Sequence, residues 1–525
     1  MALDTIIQAT RSTLLLLGLY YFIIIVYRIL FHPLRTYPGP FGAKISDGYG
    51  GFYALSKRLH LATFRDHEKY GNVMRHGPNR LVFNSAQALQ DIYNNERTTK
   101  SHVYSLTVKE DGGDTIFNAV DRRRHALKRR VAGRAVTDRA MHSFEPIMHE
   151  QIDVFLETLY KSSQASEAVN MTQSCKRLGF DIIGHLAFGF ALNTQTNPKY
   201  RFMIDGVTMG NYRANCFMQF PFLKNRKLDS LAHFLFSARR SGYHGALEQW
   251  IQTRLSQEKH TKADLYSFVV DHIKTDSHDG MTLSELWSEA LVFFPAGGDT
   301  ISTALSALFF YLSQNPEAYR KLSDEVCETF TDGTDIKGGP ELASCRYLRA
   351  CIDESLRMSP PVSGTLWREL EKGQEGKGPL VINGHIIPRG TQVSINIYSL
   401  HHNEDYFPEP FVFRPERWLV KNSNELRTLH SAFTPFSIGS RGCVGKPMAY
   451  LEASLVVAKT LWYFDFEAAQ GEITGGGIPG RKDGRERPEE FQLRDVFSAA
   501  HDGPHLVFWP RGDSCKIFEQ ELKSV

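Results

Sequence analysis

Apolar residues recur at helical spacing from Thr282 to about Leu312, and no other stretch constrains the fold as strongly. Thr282-x-x-Glu285 reads as a capping box that opens the helix, and Asn315-Pro316 stops it. About thirty residues at ~1.5 Å each span roughly 45 Å, so this helix must cross the whole body and be buried along most of its length. Yet Pro295-Ala296-Gly297-Gly298-Asp299-Thr300 stands at its centre. Proline costs a helix interior about 3 kcal/mol and each glycine about 1. Some gain should offset that cost, and a local opening of the hydrogen-bond ladder beside a ligand is the expectation.

A second apolar run lies near the N-terminus. Ser12 to Tyr27 carries no charge, and extending the run to Phe31 adds only Arg28. About twenty helical residues measure roughly 30 Å, enough to cross a bilayer. A cleaved signal peptide is the competing reading. Against it, the run is followed by Arg28, His32, Pro33 and Arg35 rather than by a small-residue cleavage site. Residues 1–32 are therefore expected to be a retained anchor. Arg28, Arg35 and Lys44 after the run, against Arg11 before it, place the body on the cytosolic side. Pro38-Gly39-Pro40 stiffens a hinge over 33–42, and 43–525 forms the body.

The body is expected to be mainly α with small β-sheets. Gln151–Tyr160, Arg177–Phe188 and Leu247–Lys259 carry helical periodicity, whereas Arg80–Phe83 and Gln392–Ile397 read as strands. At 42% hydrophobic, the 525 residues can fill a large core. A formal charge of +3 gives no global pull toward nucleic acid. Seven cysteines, odd in number and without a Cys-x-x-Cys, suit free thiols in a reducing compartment. Gly475, Gly477 and Gly480 spell a dinucleotide-type pattern, but Pro479 interrupts it, and a surface loop is expected there.

One cysteine has a distinctive setting. Phe436-Ser-Ile-Gly439-Ser-Arg441-Gly442-Cys443-Val-Gly445 places a thiol between glycines just before an apolar helix. Glycines let the backbone approach a flat ligand, and amides with a helix N-terminus behind them favour the thiolate that binds iron. Glu354-x-x-Arg357 puts a carboxylate and a guanidinium on one helix face, a pattern common on ordinary surfaces. Pro415-Glu416-Arg417-Trp418 offers that carboxylate a second arginine.

These signals, in this order and with the Ala-Gly-Gly-Asp-Thr segment of the long helix, resemble the cytochrome P-450 superfamily. The cysteine loop matches F-x-x-G-x-R-x-C-x-G at every specified position, and the likeness runs from about residue 30 to about 511. Phe31-His32-Pro33-Leu34 followed by Pro38-Gly39-Pro40 is similar to microsomal members from filamentous fungi. The resemblance implies a haem b buried between the long distal helix and the proximal cysteine loop. It implies Cys443 as axial iron ligand and Phe436 as shield of the sulfur. Arg441, His125, Arg129 and Arg368 become partners of the haem propionates, with His125 where Trp is commoner. It makes Glu354, Arg357 and Arg417 a structural triad, and Asp299 with Thr300 the pair that delivers protons to bound oxygen. Ile301 departs from the usual second Thr or Ser, and Pro295 is unusual so deep in that helix. Phe117, Phe293, Phe294, Ala296, Val362 and Leu366 match substrate-contacting segments, and their apolar character implies a hydrophobic small molecule.

The implied activity is a monooxygenase using O2 and electrons from an NADPH–cytochrome P-450 reductase, because the chain has no flavin or nicotinamide motif of its own. The implied place is the endoplasmic reticulum membrane, with the lipid bilayer holding the anchor. A fungal secondary metabolite is the expected substrate kind. Arg122, Arg123, Arg124, Lys128 and Arg130 are expected to face the acidic reductase, against the alternative of a solvated helix face. Two rivals stay open: a haem-thiolate isomerase or dehydratase that needs no reductase, and a haem-binding sensor. Asn170-Met171-Thr172 is a glycosylation sequon that a cytosolic body leaves unused.

Overall fold

The computed structural model describes residues 2–108, 113–225, 237–270, 282–471, 474–512 and 515. The last ten residues assigned to the body, 516–525, lie outside that set. The principal helices, in chain order, are α1 (Ala2–Val26), α2 (Arg122–Ala132), α3 (Asp138–Gln164), α4 (Met171–Phe188), α5 (Phe202–Gln219), α6 (Ser237–Leu255), α7 (Leu283–Gln314), α8 (Arg346–Met358) and α9 (Lys446–Tyr463). The expected helices over 151–160 and 177–188 are the C-terminal parts of α3 and α4. The one expected over 247–259 stops at Leu255.

Helix α7 is the axis of the body. The Thr282 hydroxyl accepts from the Glu285 N–H at 3.2 Å, and the Glu285 carboxylate accepts from the Thr282 N–H at 3.0 Å, so the capping box is complete. The helix continues through its Pro-Gly-Gly centre, where Pro295 has no N–H to give to the ladder. The glycines serve packing. A Cβ on Gly297 would lie 2.5 Å from the Ile183 side chain, and one on Gly298 2.6 Å from the Phe180 ring. A Cβ on Gly179 of α4 would lie 2.9 Å from Gly298 O. Three glycines thus let α4 and α7 cross with their backbones nearly touching.

Ten strands, β1 (Val73–Gly77), β2 (Arg80–Phe83), β3 (Thr98–Lys100), β4 (Val169–Asn170), β5 (Arg368–Leu370), β6 (Leu380–Ile382), β7 (His385–Ile387), β8 (Gln392–Ile395), β9 (Phe464–Ala468) and β10 (His505–Pro510), form small sheets. The largest has the order β1-β2-β8-β5-β3, with β2 and β8 parallel. It delivers Lys100 on β3 opposite Arg368 on β5.

Helix α1 is exposed along its length, and Leu3–Phe31 is long and apolar enough to cross a membrane. Helix α7 passes the same length test, but it is the buried core helix. The segment expected to be a stiff hinge packs on the body. Leu34 is fully buried against Leu81, Phe83 and Ile395, and His32 bonds Asn79 at 2.8 Å. Arg75 Nη1 donates to Arg28 O at 2.9 Å. The body therefore grips the chain from Arg28 onward, ahead of the expected boundary at 43. Asn170 caps α4 by accepting from the Gln173 N–H and donates to Asp502, so the sequon's asparagine already has structural partners.

The triad is assembled as expected. Glu354 accepts from Arg357 Nε and Nη2 at 3.0 and 2.9 Å, from Arg417 Nε at 2.9 Å and from Trp418 Nε1 at 3.0 Å. Burial pushes the Glu354 carboxyl up, but Arg357 and then Arg417 outweigh it and hold it below its ordinary value. Arg357 and Arg417 also donate to the carbonyls of His401, Pro410 and Pro408, fixing the meander that leads to the cysteine loop.

Candidate active site

The cysteine loop is a tight backbone fold. Cys443 N–H donates to Phe436 O at 2.8 Å, and Gly442 N–H to Gly439 O at 3.0 Å. Gly439 has φ +73°, and a Cβ there would lie 2.1 Å from Tyr93 O, so only glycine fits. The sulfur sits at the N-terminus of α9. Burial raises the Cys443 thiol pKa, partly offset by the Gly445 and Lys446 amides and by Arg129. The Cys443 side chain is nonetheless exposed. Of the other six cysteines, Cys175, Cys216, Cys345, Cys351 and Cys515 are buried, with thiols raised first by burial. Cys327 is exposed, beside Arg511. Phe436 lies half-buried beside the loop, its ring 5.1 Å from that of Tyr450.

Basic groups from four elements converge next to this loop. Arg129 on α2 donates to Gly442 O, and Arg441 donates to Ala119 O and Val120 O. Arg368 on β5 donates to Leu366 O and Trp367 O. His125 is buried one turn before Arg129. Lys100, which nothing in the sequence singled out, is buried beside them and donates to the carbonyls of Ile116 and Phe117. Among the described residues none of the five forms an ion pair. Burial first, then Arg441, Lys100, Arg129 and Arg368, press His125 down to about 2. Burial and Arg368 lower Arg441 to about 10, and burial with Arg368 and Arg441 pushes Lys100 well down. Glu289 acts on Lys100, and Glu371 and Asp121 on Arg441, but they do not outweigh the burial and mutual repulsion of the cluster, which suits a site that takes an anion. Two carboxylates on a flat ligand, with a cation at Cys443 to keep its sulfur ionised, would satisfy every group. The residues present fit a haem.

The middle of α7 supplies the opposite wall. Ala296 is exposed although Phe294, Gly298 and Asp299 around it are buried, so the long helix is open on this face. Thr300, one turn on, donates its hydroxyl to Ala296 O at 2.5 Å. Asp299 does not share that face. Its carboxylate accepts from Asn211 Nδ2 at 2.9 Å and lies 3.6 Å from Lys176 Nζ, on the side of α4 and α5. Burial raises its pKa against the pull of Lys176.

The expected substrate contacts divide. Phe294 belongs to the aromatic core, packed on Phe180, Phe188 and Trp250, which corrects its assignment to the pocket. Phe293, Val362 and Leu366 are half-buried at the edges of the core clusters. Phe117 meets the ring of Phe497 at 5.0 Å. Phe497 was also missed in the sequence; its φ of +82° is strained for a bulky residue, and such strain marks functional turns. The basic cluster on α2 needs correcting as well. Lys128 is fully buried between Glu285 and Glu289, Arg124 pairs with Glu285, and Arg122 pairs with Glu371 at 3.3 Å. Only Arg123 and Arg130 of the five are exposed.

The family model described as Cytochrome P450 matches residues 39–474. Cytochrome P450 monooxygenase AKT7 of Alternaria alternata is 35% identical over 516 residues, covering 96% of this chain and 97% of that protein. Cytochrome P450 monooxygenase poxM of Penicillium oxalicum is 34% identical over 510 residues, covering 96% and 95%. Cytochrome P450 monooxygenase apf7 of Gibberella fujikuroi is 32% identical over 517 residues, covering 93% and 95%.

Proposed function

The chain belongs to the cytochrome P450 family and is a monooxygenase of that family, and on that premise we propose that it hydroxylates or otherwise oxidises a hydrophobic secondary metabolite. In this reading the cofactor is haem b. The electrons come from a separate NADPH–cytochrome P450 reductase, and α1 holds the protein in the endoplasmic reticulum membrane with the body in the cytosol. The observation that carries the reading is the convergence of Lys100, His125, Arg129, Arg368 and Arg441 on the Cys443 loop.

When bound, the haem supplies reductive activation of O2. The chain's own residues do the rest. Cys443 offers its sulfur at a helix N-terminus, and Phe436 covers it. Arg441, Arg129, Arg368 and Lys100 would hold the propionates with charge-assisted hydrogen bonds, and His125, held neutral, would donate beside them. Thr300 Oγ1 lies on the long helix one turn from the exposed Ala296. Asp299, its carboxyl pKa raised by burial against the pull of Lys176, can hold a proton at a carboxylate oxygen one residue from Thr300. Phe117, Phe293, Ala296, Val362 and Leu366 bound an apolar pocket that excludes water.

The test is a spin-state screen of the full-length protein in vesicles against fungal terpenoids, polyketides and aromatic alkaloids, followed by turnover of the hits. Oxidation that needs NADPH, reductase and O2 supports the reading. Conversion without reductase favours an isomerase or dehydratase, and haem binding without any conversion favours a sensor.

A further inference from the structure

The turn that carries Phe117 is tied down on one side by Glu289 and Lys128, charges the reaction does not use. Both oxygens of Glu289, on α7, accept from the Ile116 N–H, at 3.0 and 2.9 Å. Glu289 and Lys128 are both 0% exposed and lie 3.2 Å apart. Lys128 also reaches Glu285 at 3.3 Å, and Glu285 pairs with Arg124 as well. From the other side, Lys100 Nζ donates to Ile116 O and Phe117 O and lies 5.2 Å from the Phe117 ring. The Ile116–Phe117 segment is thus held from both sides, Glu289 taking the Ile116 N–H and Lys100 the carbonyls of Ile116 and Phe117. The ring it presents meets Phe497, whose N–H donates to Asp495 Oδ1. Asp495 Oδ1 also accepts from Asn215 on α5 at 3.1 Å.

Buried ion pairs contribute little net stability compared with apolar residues of the same size, and their best-attested use is to fix register. We propose that Glu289 is a positioning residue for specificity. Paired with Lys128, it fixes the Thr115–Asn118 turn against the long helix, so that Phe117 stands against Phe497 and narrows that side of the cavity to bulky ligands. The inference rests on the haem-site reading only for the part played by the cavity; the latch itself stands on the contacts above.

The test uses full-length holoenzyme in detergent micelles. The double variant Lys128→Met/Glu289→Leu removes both charges without orphaning either and leaves Arg124 to pair with Glu285, so folding is retained. Hydrogen exchange of peptides spanning 113–120 should quicken about tenfold or more, with α4 unchanged. Glu289→Gln keeps a carbonyl acceptor for the Ile116 N–H and should restore most of the protection. Affinity for imidazole should stay within about twofold, while 4-phenylimidazole should bind about fivefold more tightly as Phe117 retreats. Unchanged exchange at 113–120, or an unchanged or reduced preference for the bulky ligand, overturns the proposal. If exchange quickens but even the parent enzyme never ligates imidazole, the haem reading falls and the latch is upheld.

Discussion

Arg357→Met tests whether the triad, and not the cysteine loop alone, holds the proximal side in shape. The Arg357 guanidinium makes two bonds to Glu354 and one each to the carbonyls of His401 and Pro410, all without exposure to solvent. Methionine fills part of the space but leaves Glu354 with Arg417, Trp418 and the Arg414 N–H. Removing one partner of a buried pair costs about 3–5 kcal/mol. Unfolding entropy near 2.1 cal/mol/K per residue gives roughly 1 kcal/mol/K for a chain of this size. The thermal midpoint should therefore fall by about 3–5 °C from the ion pair alone, and further if the two carbonyls stay unpaired. The assay is loss of haem absorbance with temperature, checked by circular dichroism, on holoprotein in detergent micelles. A second readout follows from sign. The folded pKa of Glu354 is depressed below its ordinary 4.5, so its stabilisation is present above that value and is lost as pH falls through the lowered one. The gap between parent and variant should be widest near neutrality and should close under acid. A midpoint within about 1 °C of the parent, or a gap that widens under acid, would refute the reasoning.

Three further outcomes can be checked. Lys100→Met would remove the charge-assisted bond proposed between Lys100 and a propionate, so haem should transfer to apomyoglobin about tenfold faster than from the parent. Burial raises the unpartnered Glu452 carboxyl to about 8, so its folded form favours the bound proton. Stability should decline as pH rises from about 4.5 through about 8, and Glu452→Leu should flatten that decline in thermal midpoints. Charge reversal at exposed Arg123 and Arg130 should slow reductase-driven reduction in stopped flow, most at low salt. The same change at Lys128 should lower stability instead, because it is buried between two carboxylates.

What the sequence made legible was contiguous. The cysteine loop, the capping box at Thr282 and the Glu354-x-x-Arg357 face each lie within a few residues, and each appears in the structure as read. The misreadings were nonlocal. Arg122 to Arg130 look like a solvated run because the carboxylates that consume three of them lie about 160 to 250 residues away. Gly297 and Gly298 looked like a break beside a ligand because their actual neighbours, Phe180 and Ile183, come from another helix. Lys100 and Phe497 carry no motif. One is defined by the cations that gather around it, the other by a positive φ that only the folded turn reveals. Nothing in the proline-rich hinge showed that Leu34 would be buried, because the residues it clusters with, Leu81, Phe83 and Ile395, are distant in sequence.

The most direct test of the central claim is X-ray absorption at the iron edge of the haem-loaded protein, parent against Cys443→Ala. If Cys443 is the proximal ligand, the parent shows a sulfur scatterer bound to iron and the variant shows none, although the six other thiols remain. A parent without that scatterer, or a variant that keeps it, would contradict the assignment of Cys443.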